Sequence, residues 1–328
     1  MTTAGTTMTA PAPHHALRFR ERVALAALLG GVRLLQALPD GLVYRAAAGV
    51  GTLAWLGMPA RRALVRENLR RVCRYLAETG QASPRTLAAA HSERSLDRLV
   101  RNAFQHWVRA YAEGATVGRY SADQLRAHVA VETPETSAEA LGTKPADGGG
   151  RLLVGFHFGA IELGALYASR TGKVPVSGPM EQVENPVMRA YFERTRQQLG
   201  IGILALDDVA NQLTRRLERG ETVAIVADRA VRGAGSRVEL FGAPARLPLG
   251  PAVLTAEGKA ATYVVGLWRT GWGRWAARVD RIDLKDGLSR RERLRSVLDQ
   301  ETRLLESMVA KAPEQWWSLF FPIWEDVA

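Results

Sequence analysis

From Gly150 onward, short apolar runs alternate with segments of helical spacing, and this alternation restricts the fold more than any other feature of the chain. Strand-like runs fall at 151–156, 174–177, 201–206, 222–227, 236–240, 261–268 and 274–280. Helical spacing fills 160–171, 186–199, 208–219 and 249–258. A helix between two strands carries the chain back to the starting end of a sheet, so the next strand pairs parallel to the last. The expected fold class is therefore α/β, with a mostly parallel central sheet flanked by helices. Gly271-Trp272-Gly273 separates the last two runs as a hairpin turn would. Ser289 and Glu292 have the spacing of a capping box, opening a final helix that runs to about Ala310.

The first third of the chain has another character. Residues 1–16, rich in Thr, Ala and Pro, read as a disordered leader. Leu25, Leu28, Leu29, Val32, Leu35 and Leu38 recur at helical spacing, but the run is short, Arg33 interrupts it and Pro39-Asp40-Gly41 closes it. An amphipathic helix lying in a membrane interface fits this better than a span, and a cleaved signal peptide is the alternative. Residues 42–56 continue the apolar character. Arg61, Arg62, Arg66, Arg70, Arg71 and Arg74 follow, either as a solvated helix face or as a surface for phosphate headgroups. Ser95 to Tyr111 is strongly periodic, with Leu96, Leu99, Val100, Phe104 and Trp107 on its core stripe and His106 expected on its outer surface. The loop at 142–150 separates this helical part from the sheet. The organisation expected is a leader (1–16), a helical membrane-associating segment (17–120) and an α/β core (121–328), with 17–328 forming one continuous domain.

The chain carries 44 Lys and Arg against 33 Asp and Glu, a net charge of +11. Such an excess favours an anionic partner or surface. The arginines are dispersed along amphipathic segments among Leu, Val and Trp, and no helix-turn-helix, zinc-finger or RNP-type signature accompanies them. An anionic membrane surface is thus expected as partner and nucleic acid is not, with a merely basic soluble protein as the alternative. The single cysteine, Cys73, excludes a disulfide framework or a cysteine-based zinc site within one chain.

Chemistry concentrates where the first strand of the core ends. In Arg151-Leu152-Leu153-Val154-Gly155-Phe156-His157-Phe158-Gly159-Ala160-Ile161-Glu162, a histidine stands at the strand terminus and an acid follows in the first turn of the next helix. Strand ends of α/β sheets are where reacting groups are displayed. A histidine there, held by a carboxylate, can take a proton from a hydroxyl. A satisfied structural histidine is the competing reading, because the spacing alone is common. Asp228 ends a second apolar run, in Val226-Ala227-Asp228-Arg229; it would position a substrate, support His157, or pair with Arg229. Further on, Arg246, Pro248 and Gly250 lie in a constrained loop leading into a helix at Pro251-Ala252-Val253. The free N–H groups of that helix together with Arg246 would suit a phosphate, although a plain connecting loop reads the same way.

Taken together these motifs resemble the lipid A biosynthesis late acyltransferase family, which includes the phosphatidylinositol mannoside acyltransferases, within the lysophospholipid acyltransferase superfamily. The resemblance rests on His157 with Glu162 in Gly155-Phe156-His157-Phe158-Gly159-Ala160-Ile161-Glu162, Arg66-Glu67-Asn68-Leu69, Asn185-Pro186 ahead of Arg194 and Arg196, and Ala227-Asp228-Arg229. Phe241-Gly242-Ala243-Pro244-Ala245-Arg246-Leu247-Pro248-Leu249-Gly250-Pro251, Pro313-Glu314-Gln315-Trp316, and Phe321-Pro322 with Trp324 complete it, so it covers about residues 20–325. Ala160-Ile161 stands where the lipid A branch usually carries Asn-Trp, and Gly178-Pro179-Met180-Glu181 lacks the arginine often found before Asn-Pro. The Asp-Arg pair and Pro248-x-Gly250-Pro251 lean toward the phosphatidylinositol mannoside branch.

The resemblance implies an O-acyltransferase that moves a fatty acyl group from acyl-CoA or acyl carrier protein to a hydroxyl of a membrane glycolipid or lysophospholipid. His157 is expected as general base with Glu162 holding its other ring nitrogen, and backbone N–H groups near Phe158 and Gly159, or Arg246, as oxyanion donors. Asp228 and Arg229 would orient a headgroup. The acyl thioester is a co-substrate, and neither a cofactor nor a metal is expected. The expected location is the cytoplasmic face of the cell membrane, peripheral or monotopic. A non-catalytic lipid-binding protein on the same fold is the alternative.

Overall fold

The computed structural model describes residues 17–142, 149–172, 174–180, 183–204, 208–230, 235–258 and 260–326. The leader at 1–16 and most of the loop at 142–150 fall outside them. Five helices come first: α1 (Phe19–Ala37), α2 (Asp40–Gly57), α3 (Pro59–Glu78), α4 (Pro84–His91) and α5 (Glu93–Thr116). After α6 (Ala122–His128), β1 (Val129–Val131) and α7 (Pro134–Leu141), the alternating region runs β2 (Gly150–Gly155), α8 (Ile161–Thr171), β3 (Val176–Pro179), α9 (Pro186–Gln198), β4 (Ile201–Leu204), α10 (Val209–Glu218) and β5 (Thr222–Val226). The hairpin β6 (Ser236–Leu240) and β7 (Ala243–Leu247) then leads into α11 (Leu249–Ala256). β8 (Ala260–Gly271), β9 (Arg274–Arg281) and α12 (Arg290–Lys311) close the fold.

The α/β class and the mostly parallel sheet are observed. Seven strands lie in the order β1-β9-β8-β2-β5-β3-β4. β2 pairs parallel to both β5 and β8, and β3 pairs parallel to β4 and β5. The Trp272 turn does make a hairpin, with β9 antiparallel to β8. The Ser289 capping box is formed at the start of α12. From β2 the chain crosses outward to β3 and β4, returns to β5 beside β2, and then passes to β8 on β2's other side. The carboxyl ends of β2 and β5 therefore border the point where the winding reverses, the usual place for a ligand crevice in such sheets.

Helices and sheet both contribute to the main hydrophobic cluster. Leu69 of α3, Phe104 of α5, Leu152 of β2, Val264 of β8 and Met308 of α12 belong to the same buried cluster. α2 lies close on α5 because Gly51 has no side chain: a Cβ there would meet the Gln105 backbone and the Phe104 carbonyl. His106 departs from expectation. Its Nδ1 is enclosed without a hydrogen-bond partner among the described residues, and burial, reinforced by Arg269, Arg109 and Arg85, pushes the imidazole down to about 2, so it stays neutral.

Two readings of the basic and loop segments also change. The arginines of α3 mostly find partners inside the protein: Arg66 with Glu93 and Asp97, Arg70 with Glu67 and Glu93, Arg71 with Asp326, and Arg61 with the Phe320 carbonyl. The stretch 243–247, read as a loop, is strand β7. Pro244 within it and Pro248 after it disguise it, but β6-β7 is a separate two-stranded ribbon in which Pro244 owes no hydrogen bond to a further strand. The helix after it starts at Leu249, where the helical spacing over 249–258 places it.

Candidate active site

The site is set by strand register. β2 and β5 pair so that Gly155 faces Val226, and the Ala227 N–H extends the ladder to the Gly155 carbonyl. His157 and Asp228 each lie two residues beyond that last pair, which brings them to the same height at the sheet's edge. His157 Nδ1 is 2.8 Å from Asp228 Oδ1, and the same oxygen accepts the His157 backbone N–H at 3.0 Å. Trp316 Nε1 and Ser318 Oγ both donate to Oδ2, at 2.8 and 2.7 Å.

Four donors thus surround a fully enclosed carboxylate. Burial raises the Asp228 pKa, but the adjacent imidazole and the hydrogen bonds from His157 and Ser318 outweigh it and hold the group below the ordinary carboxylate range. An ionised carboxylate only accepts, so Nδ1 carries the proton toward it. Proton abstraction from a substrate then falls to Nε2, and the imidazole is partly open, with its side chain 25% exposed. The arrangement is an acid-oriented histidine suited to general base catalysis.

The carboxylate that holds the ring is therefore Asp228, and the expectation that Glu162 does so is corrected. Glu162 sits in the first turn of α8 and pairs with Arg196 of α9 at 3.7 Å. Of the expected oxyanion donors, the two backbone groups are corrected. The Phe158 N–H bonds the Phe156 carbonyl at 2.6 Å and the Gly159 N–H bonds the Gln315 carbonyl at 2.9 Å, so neither points at a ligand. Phe158 is buried. Gly159 holds a left-handed turn (φ 62°) where a Cβ would collide with the Leu267 carbonyl. Both residues shape the turn that follows His157.

The remaining candidates divide. Arg229 follows Asp228 and stacks on Phe321, 4.1 Å from its ring centre, beside the dyad. Arg246 lies on the β6-β7 ribbon, 3.5 Å from Glu325 and 3.3 Å from the Gly235 carbonyl. Pro248 and Gly250 flank the start of α11, with Pro248 as its N-cap.

What the motifs alone do not show is the C-terminal clamp. Trp316 and Ser318 reach Asp228, the Trp317 N–H bonds the His157 carbonyl at 2.7 Å, and Asn68 holds the segment in place through the carbonyls of Leu319 and Phe321. The Asn68-Leu69 and Glu314-Gln315-Trp316 elements were the available signal, since both end on this clamp. Among the described residues, no three His, Cys, Asp or Glu side chains converge to hold a metal ion.

Phosphatidylinositol mannoside acyltransferase of Mycolicibacterium smegmatis is 30% identical over 109 residues, covering 32% of this chain and 36% of that protein. Its namesake in Mycobacterium tuberculosis is 34% identical over 99 residues, 28% of this chain and 31% of that protein. The chain thus spans about a third of the length of these relatives. The profile of the bacterial lipid A biosynthesis acyltransferase family, by contrast, matches residues 14–324. On that match, covering nearly the whole chain, the protein belongs to the bacterial lipid A biosynthesis acyltransferase family.

Proposed function

We propose that the protein transfers a fatty acyl group from acyl-CoA or acyl carrier protein to a hydroxyl of a membrane glycolipid or lysophospholipid, with phosphatidylinositol mannoside-like lipids as the favoured acceptors. The observation that carries this reading is the 2.8 Å contact between His157 and Asp228 at the adjoining ends of two parallel strands. Nε2 of His157 takes the proton of the acceptor hydroxyl. The hydroxyl oxygen bonds to the thioester carbonyl carbon, the carbon–sulfur bond breaks, and the leaving thiolate receives the proton from the imidazolium. Asp228 stays ionised throughout and stabilises the imidazolium. Cys73 takes no part: burial pushes its thiol up to about 12, so it is not a nucleophile. Arg229, stacked beside the dyad, supplies a cation for a substrate phosphate.

The N-terminal helices support work at a membrane surface. No residue of α1 is fully buried although most of the helix is apolar. α2 buries only Val43, Ala47 and Gly51 and exposes Leu42, Val50, Leu53 and Leu56. Arg18, Arg20, Arg22, Arg33 and Arg45 accompany these faces, as binding to an anionic leaflet requires. Among the described residues no helix is long and apolar enough to cross a membrane. We therefore place the protein peripherally, on the cytoplasmic face where acyl thioesters are made.

The test is thiol release from acyl-CoA, and separately from acyl carrier protein, by the full chain on anionic vesicles containing mannosylated phosphoinositide. His157→Ala is expected to lower turnover about 1,000-fold with folding intact. Turnover within tenfold of the parent protein in that variant rules out His157 as the base. Vesicle binding with no thiol released from either donor assigns the protein to lipid binding instead.

A further inference from the structure

Behind the catalytic turn lies a buried ionic group that the reaction as described does not use. Arg269, near the end of β8, has a side chain 1% exposed. Its Nε donates to Glu113 Oε1 at 2.7 Å and its Nη2 lies 2.6 Å from Glu113 Oε2. The same Nη2 donates to the Gly159 carbonyl at 3.1 Å, and Nη1 donates to Gln315 Oε1 at 3.3 Å. Gln315 answers through its side-chain N–H to the Arg269 carbonyl, and its own carbonyl takes the Gly159 N–H. The Ala160 N–H bonds the Leu267 carbonyl, two residues before Arg269 on the same strand.

A buried ion pair is a poor device for stability, because apolar residues of the same shape serve as well or better. What a planar guanidinium does supply is direction: its N–H groups leave at fixed angles, so four acceptors are held in fixed relation. Here those acceptors join three separate pieces of chain: α5 through Glu113, the turn after His157 through Gly159, and the clamp through Gln315.

We propose that Arg269, with Glu113 as counter-ion and Gln315 as partner, is a positioning residue that sets the aim of His157 Nε2 by fixing the Gly159 carbonyl two residues beyond it. The proposal rests on His157 being the base. Displacing a reacting group by about 1 Å costs on the order of 100-fold in rate, so loss of the brace slows the chemical step and leaves substrate affinity alone.

Two variants test this in the full chain, on a long-chain acyl-CoA with vesicles containing mannosylated phosphoinositide. Arg269→Met with Glu113→Leu removes both charges together and leaves no unpaired buried ion. Arg269→Lys keeps a cation but not the fork, and stands in should the double variant fail to fold. The expected result is a kcat lowered ten- to a hundredfold in the double variant and less in R269K, with KM within twofold. The downfield proton resonance of His157 Nδ1–H, assigned by its loss in His157→Ala, broadens or shifts in the same order. A folded variant with parental kcat overturns the proposal, as does a lowered kcat with that resonance sharp and unmoved, which assigns the pair to packing. If His157→Ala itself retains turnover, the base assignment fails instead, a result separable from either of these.

Discussion

The turn from His157 to Ala160 and the outer faces of α1 and α2 treat their chemical groups in opposite ways. In the turn, all four backbone N–H groups are bonded inside the protein, and so are the carbonyls of His157 and Gly159. On α2, Leu42, Val50, Leu53 and Leu56 have no cover. The first region spends its polar groups on holding one imidazole in one orientation; the second leaves apolar surface exposed, which suits the proposed lipid contact because such a contact need not be aligned to a fraction of an ångström. Proton transfer needs the former, and adhesion to a fluid lipid surface is served by the latter.

The sharpest break in this comparison comes from Asp228→Asn. Asparagine fits the space but faces Nδ1 as a weaker acceptor or as a competing donor, and it no longer stabilises an imidazolium. Turnover is expected to fall about 1,000-fold, and rates near the parental value would detach Asp228 from the chemistry. A second buried acid sharpens the point. Glu301 of α12 is as enclosed as Asp228, yet its Oε1 has no hydrogen-bond partner among the described residues, and burial alone raises its pKa from 4.5 to about 8. A raised carboxyl favours the folded state below the unfolded value near 4.5, and that advantage is lost as the pH climbs to about 8. Denaturation between pH 4 and 9 should show stability falling across this window. Glu301→Gln should flatten the fall and make the protein more stable than its parent at pH 9 by up to about 5 kcal/mol. Equal pH dependence in both proteins would show that Glu301 ionises freely where it stands.

Smaller effects probe the other region. Leu53→Glu with Leu56→Glu changes two exposed side chains, so thermal stability should hold while affinity for anionic vesicles drops about 30-fold. Unchanged partitioning would remove α2 from the membrane face. The smallest effect is expected of Glu162→Gln. Glu162 meets Arg196 in a half-exposed pair worth less than about 1 kcal/mol, and turnover should stay within about threefold. A loss comparable to that of Asp228→Asn would return Glu162 to the reacting groups.

Much of this fold is legible without coordinates, because its signals are local. The strands and helices from β2 to α12 are written in periodicity, and the α12 cap in two residues three apart. β1, three residues long, is too short to show a period, and β7 reads as a loop because Pro244 and the neighbouring Pro248 are judged without its partner strand. His106 differs for another reason: helical spacing assigns it to a face, but only packing shows that this face is half-buried and encloses the ring's Nδ1.

The chain's linear order was enough to settle an α/β layout, a histidine at a strand's end, and a greasy, arginine-bearing approach at its N-terminus, since each depends on neighbours within a few positions. It could not say which acid serves the histidine. Glu162 is five residues from it and Asp228 is 71 residues away, yet the in-register pairing of β2 with β5 makes the distant residue the nearer one in space. Register is a property of two strands at once, so that choice belonged to the tertiary structure.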